Sequence, residues 1–208
     1  LADQKKFIIV YPDGIDKRWN VASNGWGGVD DVSFFTALLN HLTQTRAIDR
    51  RRIYATGVSN GGFLVQRVAC EPNSRIAAFA SVAATFIGQI KESCHPSTPV
   101  PILMINGTDD RKVPWNGGSP FGSFFLSVPD TINFWRQHNG CTASSPVKQL
   151  PTARVEIARY DRCQGSSEVE LVTLKGAGHV WPRGGSGPSS LINGSQEIWN
   201  FFERHQLP

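Results

Sequence analysis

The sequence predicts an α/β fold in which a mostly parallel central sheet carries helices on both faces. Short, β-branched apolar runs alternate along the chain with stretches of helical period, the signature of βαβ units. Several of those runs are continuously apolar, as strands buried on both faces require. No internal repeat, linker or low-complexity stretch interrupts them, and 208 residues suit a single domain spanning 1–208.

Taken in order, Phe7-Ile8-Ile9-Val10-Tyr11 is short, β-branched and stopped by Pro12-Asp13-Gly14, which predicts a first strand. Asp30 or Asp31 can cap a helix whose apolar positions Val32, Phe35, Leu38, Leu39 and Leu42 recur at three- and four-residue steps. Ile53 to Thr56 makes the next strand and runs into Gly57-Val58-Ser59-Asn60-Gly61-Gly62, followed by a helical stretch from Phe63 to Cys70. Ile76 to Ala83 and Pro101 to Ile105 supply two further strands, the second leading to Asn106-Gly107-Thr108-Asp109-Asp110. A helix is expected over Val128 to His138, and strands over Val155 to Tyr160 and Val169 to Leu174, with Gly176-Ala177-Gly178-His179 at the exit. Ser195 is placed to cap a closing helix carrying Ile198, Trp199 and Phe202.

Composition narrows the function. The formal net charge is +4, but apart from Lys5-Lys6 and Arg50-Arg51-Arg52 the basic residues are scattered, without the stripe a nucleic-acid binder gathers. No run approaches the ~18 apolar residues that cross a bilayer. Neither nucleic acid nor membrane is therefore an expected partner. Cys70, Cys94, Cys141 and Cys163 show no metal-ligand or CxxC spacing, so no metal is expected, and an even count favours disulfides and an oxidising, extracellular location over buried thiols. The Asn-x-Ser/Thr matches at Asn106 and Asn193 are weak signals.

The chemistry is carried by Gly57-Val58-Ser59-Asn60-Gly61, a G-x-S-x-G pattern between a strand and a helix. Glycines suit a sharp turn that brings strand and helix together and exposes the serine. A serine hydroxyl needs an adjacent base, itself oriented by a carboxylate. His179 follows one strand; Asp109 and Asp110 follow another, either able to serve as the acid or as a turn residue. His41, His95, His138 and His205 lie in helical or connecting segments, which leaves His179 as the base. The order serine, aspartate, histidine is that of the α/β-hydrolase triad. It points to a serine esterase working through an acyl-enzyme without cofactor.

The residues resemble the secreted polyhydroxybutyrate depolymerase and feruloyl or acetylxylan esterase family of α/β-hydrolases over nearly the whole chain. The likeness is carried by Phe7 to Gly14, Arg18-Trp19-Asn20, Val29-Asp30-Asp31-Val32, Ile53 to Gly62, Gly107 to Asp110, Asn139-Gly140-Cys141 and Gly176 to Pro182. The resemblance implies that Asp110, in the family's G-T-x-D motif, is the acid and that His179, in G-H-x-W-P, is the base, with Trp181 near the acyl pocket. It also implies disulfides Cys70–Cys94 and Cys141–Cys163, and the Asn60 backbone N–H as one oxyanion donor. Ester substrates are implied, polymeric ones included: feruloyl or acetyl esters of plant polysaccharide first, polyhydroxybutyrate second. A catalytically inactive polymer-binding module of the same fold is the reading from another class.

Two departures stand out. Asn106 occupies a position where the family usually has His. The upstream His-Gly loop that supplies the second oxyanion N–H in the family has no counterpart after Leu1, and the strand before it belongs between the Phe7 and Ile53 strands. The expectation is thus an α/β-hydrolase catalytic domain incomplete at its N-terminus, with N-terminal strands absent and an upstream segment of the same domain as partner. Trp26, in the Gly-rich stretch from Asn24 to Gly28, Trp115 and Trp181 are candidates to line an apolar or aromatic acyl site. The short segment from Ala84 to Val100 favours an open cleft over a large lid.

Overall fold

The computed structural model describes residues 1–21, 29–72, 75–120, 122–142, 148–149, 153–185 and 191–208. Six strands form one sheet: β1 (Tyr54–Val58), β2 (Ala78–Val82), β3 (Ile102–Gly107), β4 (Lys148–Gln149), β5 (Val155–Tyr160) and β6 (Val169–Leu174). Their spatial order is β1-β2-β3-β6-β5-β4, with β1, β2, β3 and β6 parallel and β5 antiparallel to both of its neighbours. The helices are α1 (Ala2–Lys5), α2 (Asp31–Thr45), α3 (Asn60–Ala69), α4 (Gly88–Glu92), α5 (Val128–His138) and α6 (Gly194–Phe202).

Side chains alternate across the strands and so build two cores. On one face Phe79, Ile102, Met104, Val169 and Leu171 meet Leu64, Val65 and Val68 of α3 and Val128, Ile132 and Trp135 of α5. On the other, Ala80, Val82, Leu103, Ile105, Val172 and Leu174 meet Ile198, Phe201 and Phe202 of α6. The fold is that of an α/β-hydrolase, mostly parallel and covered on both faces.

The strands β5 and β6 and the helix α5 have the boundaries expected from sequence. Asp30 caps α2 by accepting from the Ser33 N–H, whereas Asp31 is buried and accepts from the Asn20 N–H at 2.5 Å. Asn193, rather than Ser195, caps α6. The α3 helix begins at once after Ser59, three residues earlier than its apolar pattern suggests, because Asn60-Gly61-Gly62 supplies a first turn without apolar residues.

The expected strand at Phe7–Tyr11 is not one. Residues 7–11 join no sheet, and Ile8, Ile9, Val10 and Tyr11 are exposed, Tyr11 by 82%. Propensity marks a run that could be a strand, but a strand exists only when another lends hydrogen bonds. Among the described residues β1 pairs with β2 alone. Phe7 instead stacks on Trp199 of α6, ring centroids 4.2 Å apart, and Lys5 pairs with Glu203 at 2.9 Å.

Disulfides join Cys70 to Cys94 and Cys141 to Cys163, the pairing the resemblance implies. No helix among the described residues is long and apolar enough to cross a membrane.

Candidate active site

Ser59 follows the last residue of β1 and has φ 54° and ψ −119°, a strained backbone for a residue with a Cβ. The strain turns the chain from strand into helix within one residue. The turn is held by the Ser59 N–H donating to the Val82 carbonyl at 2.9 Å and the Phe63 N–H donating to the Ser59 carbonyl at 2.9 Å. The steric demand on the glycines is uneven. A Cβ on Gly57 would lie 2.4 Å from the Gly61 carbonyl oxygen, and one on Gly62 would lie 2.7 Å from the Ala84 Cβ, whereas a Cβ on Gly61 finds nothing nearer than 4.0 Å.

Ser59 is the N-cap of α3 yet makes no capping hydrogen bond with its side chain. Its Oγ lies 2.8 Å from Nε2 of His179 instead. His179 Nδ1 lies 2.7 Å from Oδ2 of Asp110. An ionised carboxylate only accepts, so the tautomer that fits both contacts carries its proton on Nδ1 and accepts the serine proton at Nε2. The three residues come from loops after β1, β3 and β6, at the carboxyl edge of the sheet where open α/β folds bind ligands.

The structure separates the two aspartates. Asp110 Oδ1 accepts from the backbone N–H groups of Lys112 and Val113 at 2.8 and 2.9 Å, leaving Oδ2 for the imidazole. Burial raises the Asp110 carboxyl pKa, but the hydrogen bonds from His179, Val113 and Lys112 outweigh burial and hold it below the usual carboxylate value. Asp109 faces elsewhere, accepting from the Thr108 hydroxyl at 3.0 Å. The same Thr108 hydroxyl accepts from the Gly176 N–H at 2.8 Å, and the Asp109 N–H donates to the Ala177 carbonyl at 3.0 Å. The loops that carry Asp110 and His179 are therefore laced together. Gly107 permits the approach: a Cβ there would lie 2.2 Å from the Ala177 carbonyl oxygen.

Asn60, as first residue of α3, has no intrahelical acceptor for its backbone N–H, as an oxyanion donor requires. Its side chain has a part that sequence reasoning missed. Oδ1 accepts from the Trp19 N–H at 2.7 Å and Nδ2 donates to the Trp19 carbonyl at 3.0 Å, clamping a segment 41 residues away beside Ser59. Asn20 continues the clamp, bonding to Asp31 and, through Nδ2, to the Val29 carbonyl at 2.6 Å. The motifs Arg18-Trp19-Asn20 and Asp30-Asp31 were the only sequence signal of this contact.

The aromatic candidates part company. Trp115 is half-buried against the core on the α3 and α5 face, whereas Trp181 packs against the core on the α6 face. The two therefore pack against different faces of the sheet. Trp26 and the stretch from Asn24 to Gly28 lie outside the described residues. Asn106 is buried, its Nδ2 donating to the Ala84 carbonyl at 3.3 Å, so it ties the end of β3 to the turn after β2.

Comparison with known proteins finds esterases of similar sequence and fold. The model of the prolyl oligopeptidase family matches residues 7–88. Feruloyl esterase B of Piromyces equi is 30% identical over 214 residues, covering 97% of this chain and 37% of the relative. Feruloyl esterase C of Emericella nidulans is 27% identical over 199 residues, covering 96% of this chain and 65% of the relative. The chain thus spans between about a third and two thirds of the length of these curated relatives. Among solved structures, an acetyl xylan esterase from Aspergillus awamori superposes with a TM-score of 0.61 at 13% identity, covering 90% of this chain and 73% of that one, a likeness of fold.

Proposed function

We propose that this chain, similar over nearly its whole length to feruloyl esterases, is a serine carboxylic-ester hydrolase acting on feruloyl or acetyl esters of plant polysaccharide. The observation that carries the reading is the hydrogen-bonded series Ser59 Oγ, His179, Asp110, at 2.8 and 2.7 Å. In the first step His179 Nε2 takes the Ser59 proton as Oγ attacks the ester carbonyl. Asp110 holds the imidazole in its tautomer and stabilises the imidazolium. The Asn60 N–H faces the developing oxyanion, an interaction worth ~3 kcal/mol in the transition state. The imidazolium then protonates the leaving alcohol. In the second step His179 deprotonates water, which attacks the acyl-enzyme and frees the acid and Ser59.

The prolyl oligopeptidase match favours peptide substrates as the second reading. It covers the nucleophile turn but neither Asp110 nor His179, so it speaks to the scaffold shared by both chemistries. The two disulfides support an oxidising, extracellular setting for the protein.

The test is labelling with a fluorophosphonate probe, with the modified peptide mapped by mass spectrometry. A single adduct on Ser59, abolished in His179→Ala, is expected; absence of an adduct sinks the enzyme reading in favour of an inactive binding module. A panel of methyl ferulate, 4-nitrophenyl acetate, acetylated xylan, polyhydroxybutyrate film and a prolyl peptide then ranks the substrates. Turnover of the film or the peptide alone would reverse the assignment.

A further inference from the structure

A depression of about 320 Å³ opens beside the proposed acid, lined by Thr108, Asp109, Asp110, Arg111, Pro114, Trp115 and Asn116. We propose that it is a carbohydrate subsite, taking one sugar ring of the alcohol part of the ester against Trp115. This rests on the ester-hydrolase reading and names where the polysaccharide lies.

The chemistry of the lining selects the ligand. An indole and a proline ring offer an apolar patch, while a carboxylate, a guanidinium and an amide stand around it. A sugar ring has that double character: a C–H face for the indole and hydroxyls for the polar groups. The planar ring of an aromatic acyl group is better served by an enclosed apolar slot. Here Arg111 and Asn116 are exposed, leaving the depression open to solvent and to a continuing polymer chain.

Its floor is built to hold its shape. Asp110 fixes the turn to Val113 through two backbone hydrogen bonds, and the Gly117 N–H donates to the Pro114 carbonyl at 2.9 Å. The Trp115 carbonyl accepts from the Val128 N–H at 2.9 Å, tying the platform to the start of α5. One imidazole and hydrogen bonds of 2.7 and 2.8 Å separate Asp110 from Ser59 Oγ, a span comparable to one sugar ring and its linkage. Trp181 packs on the other face of the sheet, away from this depression.

Two measurements test the assignment. The first compares kcat/KM for an acyl-matched pair, methyl ferulate and a feruloylated xylo-oligosaccharide, in which contacts to the acyl group cancel. Trp115→Ala should lower the ratio of oligosaccharide to methyl ester about tenfold, and Trp115→Phe, which keeps much of the packing, by less. An unchanged ratio, with both esters losing equally, overturns the subsite while leaving the ester-hydrolase reading in place. Failure of the wild type on both esters counts against that reading instead. The second measurement needs no turnover: calorimetric titration of ester-free xylotriose into the Ser59→Ala protein. Binding there that is lost in Ser59→Ala/Trp115→Ala supports the subsite; no binding, or equal binding in both, refutes it.

Discussion

At the scale of single residues, the turn at Ser59 divides its glycines by steric demand. Gly57 and Gly62 sit where backbone passes against backbone or the Ala84 methyl, and Gly61 does not. Gly61→Ala should therefore fold with unchanged or slightly raised stability, by up to ~1 kcal/mol, since alanine suits a helix better. Gly62→Ala should cost several kcal/mol or prevent folding; equal behaviour of the two in urea denaturation would contradict the steric account. Thr108 offers a second residue-scale prediction. Its hydroxyl is the acceptor that draws the Gly176 N–H to the acid loop, so Thr108→Val should loosen the registry of His179 with Asp110. An approximately tenfold fall in kcat with little change in KM is expected from steady-state kinetics on a small ester. A loss seen only in thermal stability would mark Thr108 as structural.

At the scale of elements, what was legible in the sequence depended on whether the signal was local. The α5 helix could be placed because a Ser127 cap, Pro129 in the first turn and apolar spacing all act within the element. The β5 and β6 strands likewise declared themselves by composition. Phe7–Tyr11 carried the same local signal, and its exposure shows that the missing ingredient was non-local, a pairing partner. That Ser59, His179 and Asp110 meet could be read because motif and order constrain them. The Asn60 clamp on Trp19 could not, because the motif leaves that position free and the partner lies 41 residues away. A similar non-local bond joins α3 to α5, where the buried Trp135 indole N–H donates to Gln66 Oε1 at 2.8 Å. Gln66→Leu keeps the volume but strands that donor, and should cost about 1–3 kcal/mol by chemical denaturation. No loss would mean that the indole finds another acceptor.

At the scale of the whole molecule, stability should depend on pH through the cluster that joins the end of α6 to the start of β6. Arg204 bridges Glu168 and Glu170 at 2.7 Å each, and Arg159 reaches both at 3.0 and 3.1 Å. Beside them His205 is buried, and burial drives its imidazole down to about 4. The Glu168 carboxylate 3.6 Å away pulls it up but does not offset burial, and Arg204 and Arg159 push it further down. The unfolded imidazole titrates near ~6.5. As pH falls from there to about 4, the unfolded chain binds a proton that the folded chain excludes, so stability falls across that window and is unaffected above it. Asp110, held low, removes stability at still lower pH. Glu170, raised by burial and by Glu168, works the other way. Between pH 7 and 5 the His205 contribution is ~2 kcal/mol. The His205→Gln variant should lose less stability over that interval than the wild type in urea titrations; parallel pH profiles would exclude the mechanism. The disulfides act at the same scale, their partners lying 24 and 22 residues apart along the chain. Replacing either pair by alanine should cost ~3 kcal/mol and lower Tm by roughly 6–12 °C.

The backbone of Ser59 has a consequence for how such a sequence changes over time. Its φ of 54° and ψ of −119° are ones a glycine adopts without strain, so the residue expected to do chemistry sits where it makes the fold less stable. Ser59→Gly should thus yield a protein with no hydrolytic activity and a higher melting temperature. A lineage released from selection for hydrolysis would drift downhill in free energy at this position, towards glycine. Selection for hydrolysis is what would hold a serine here against that gradient.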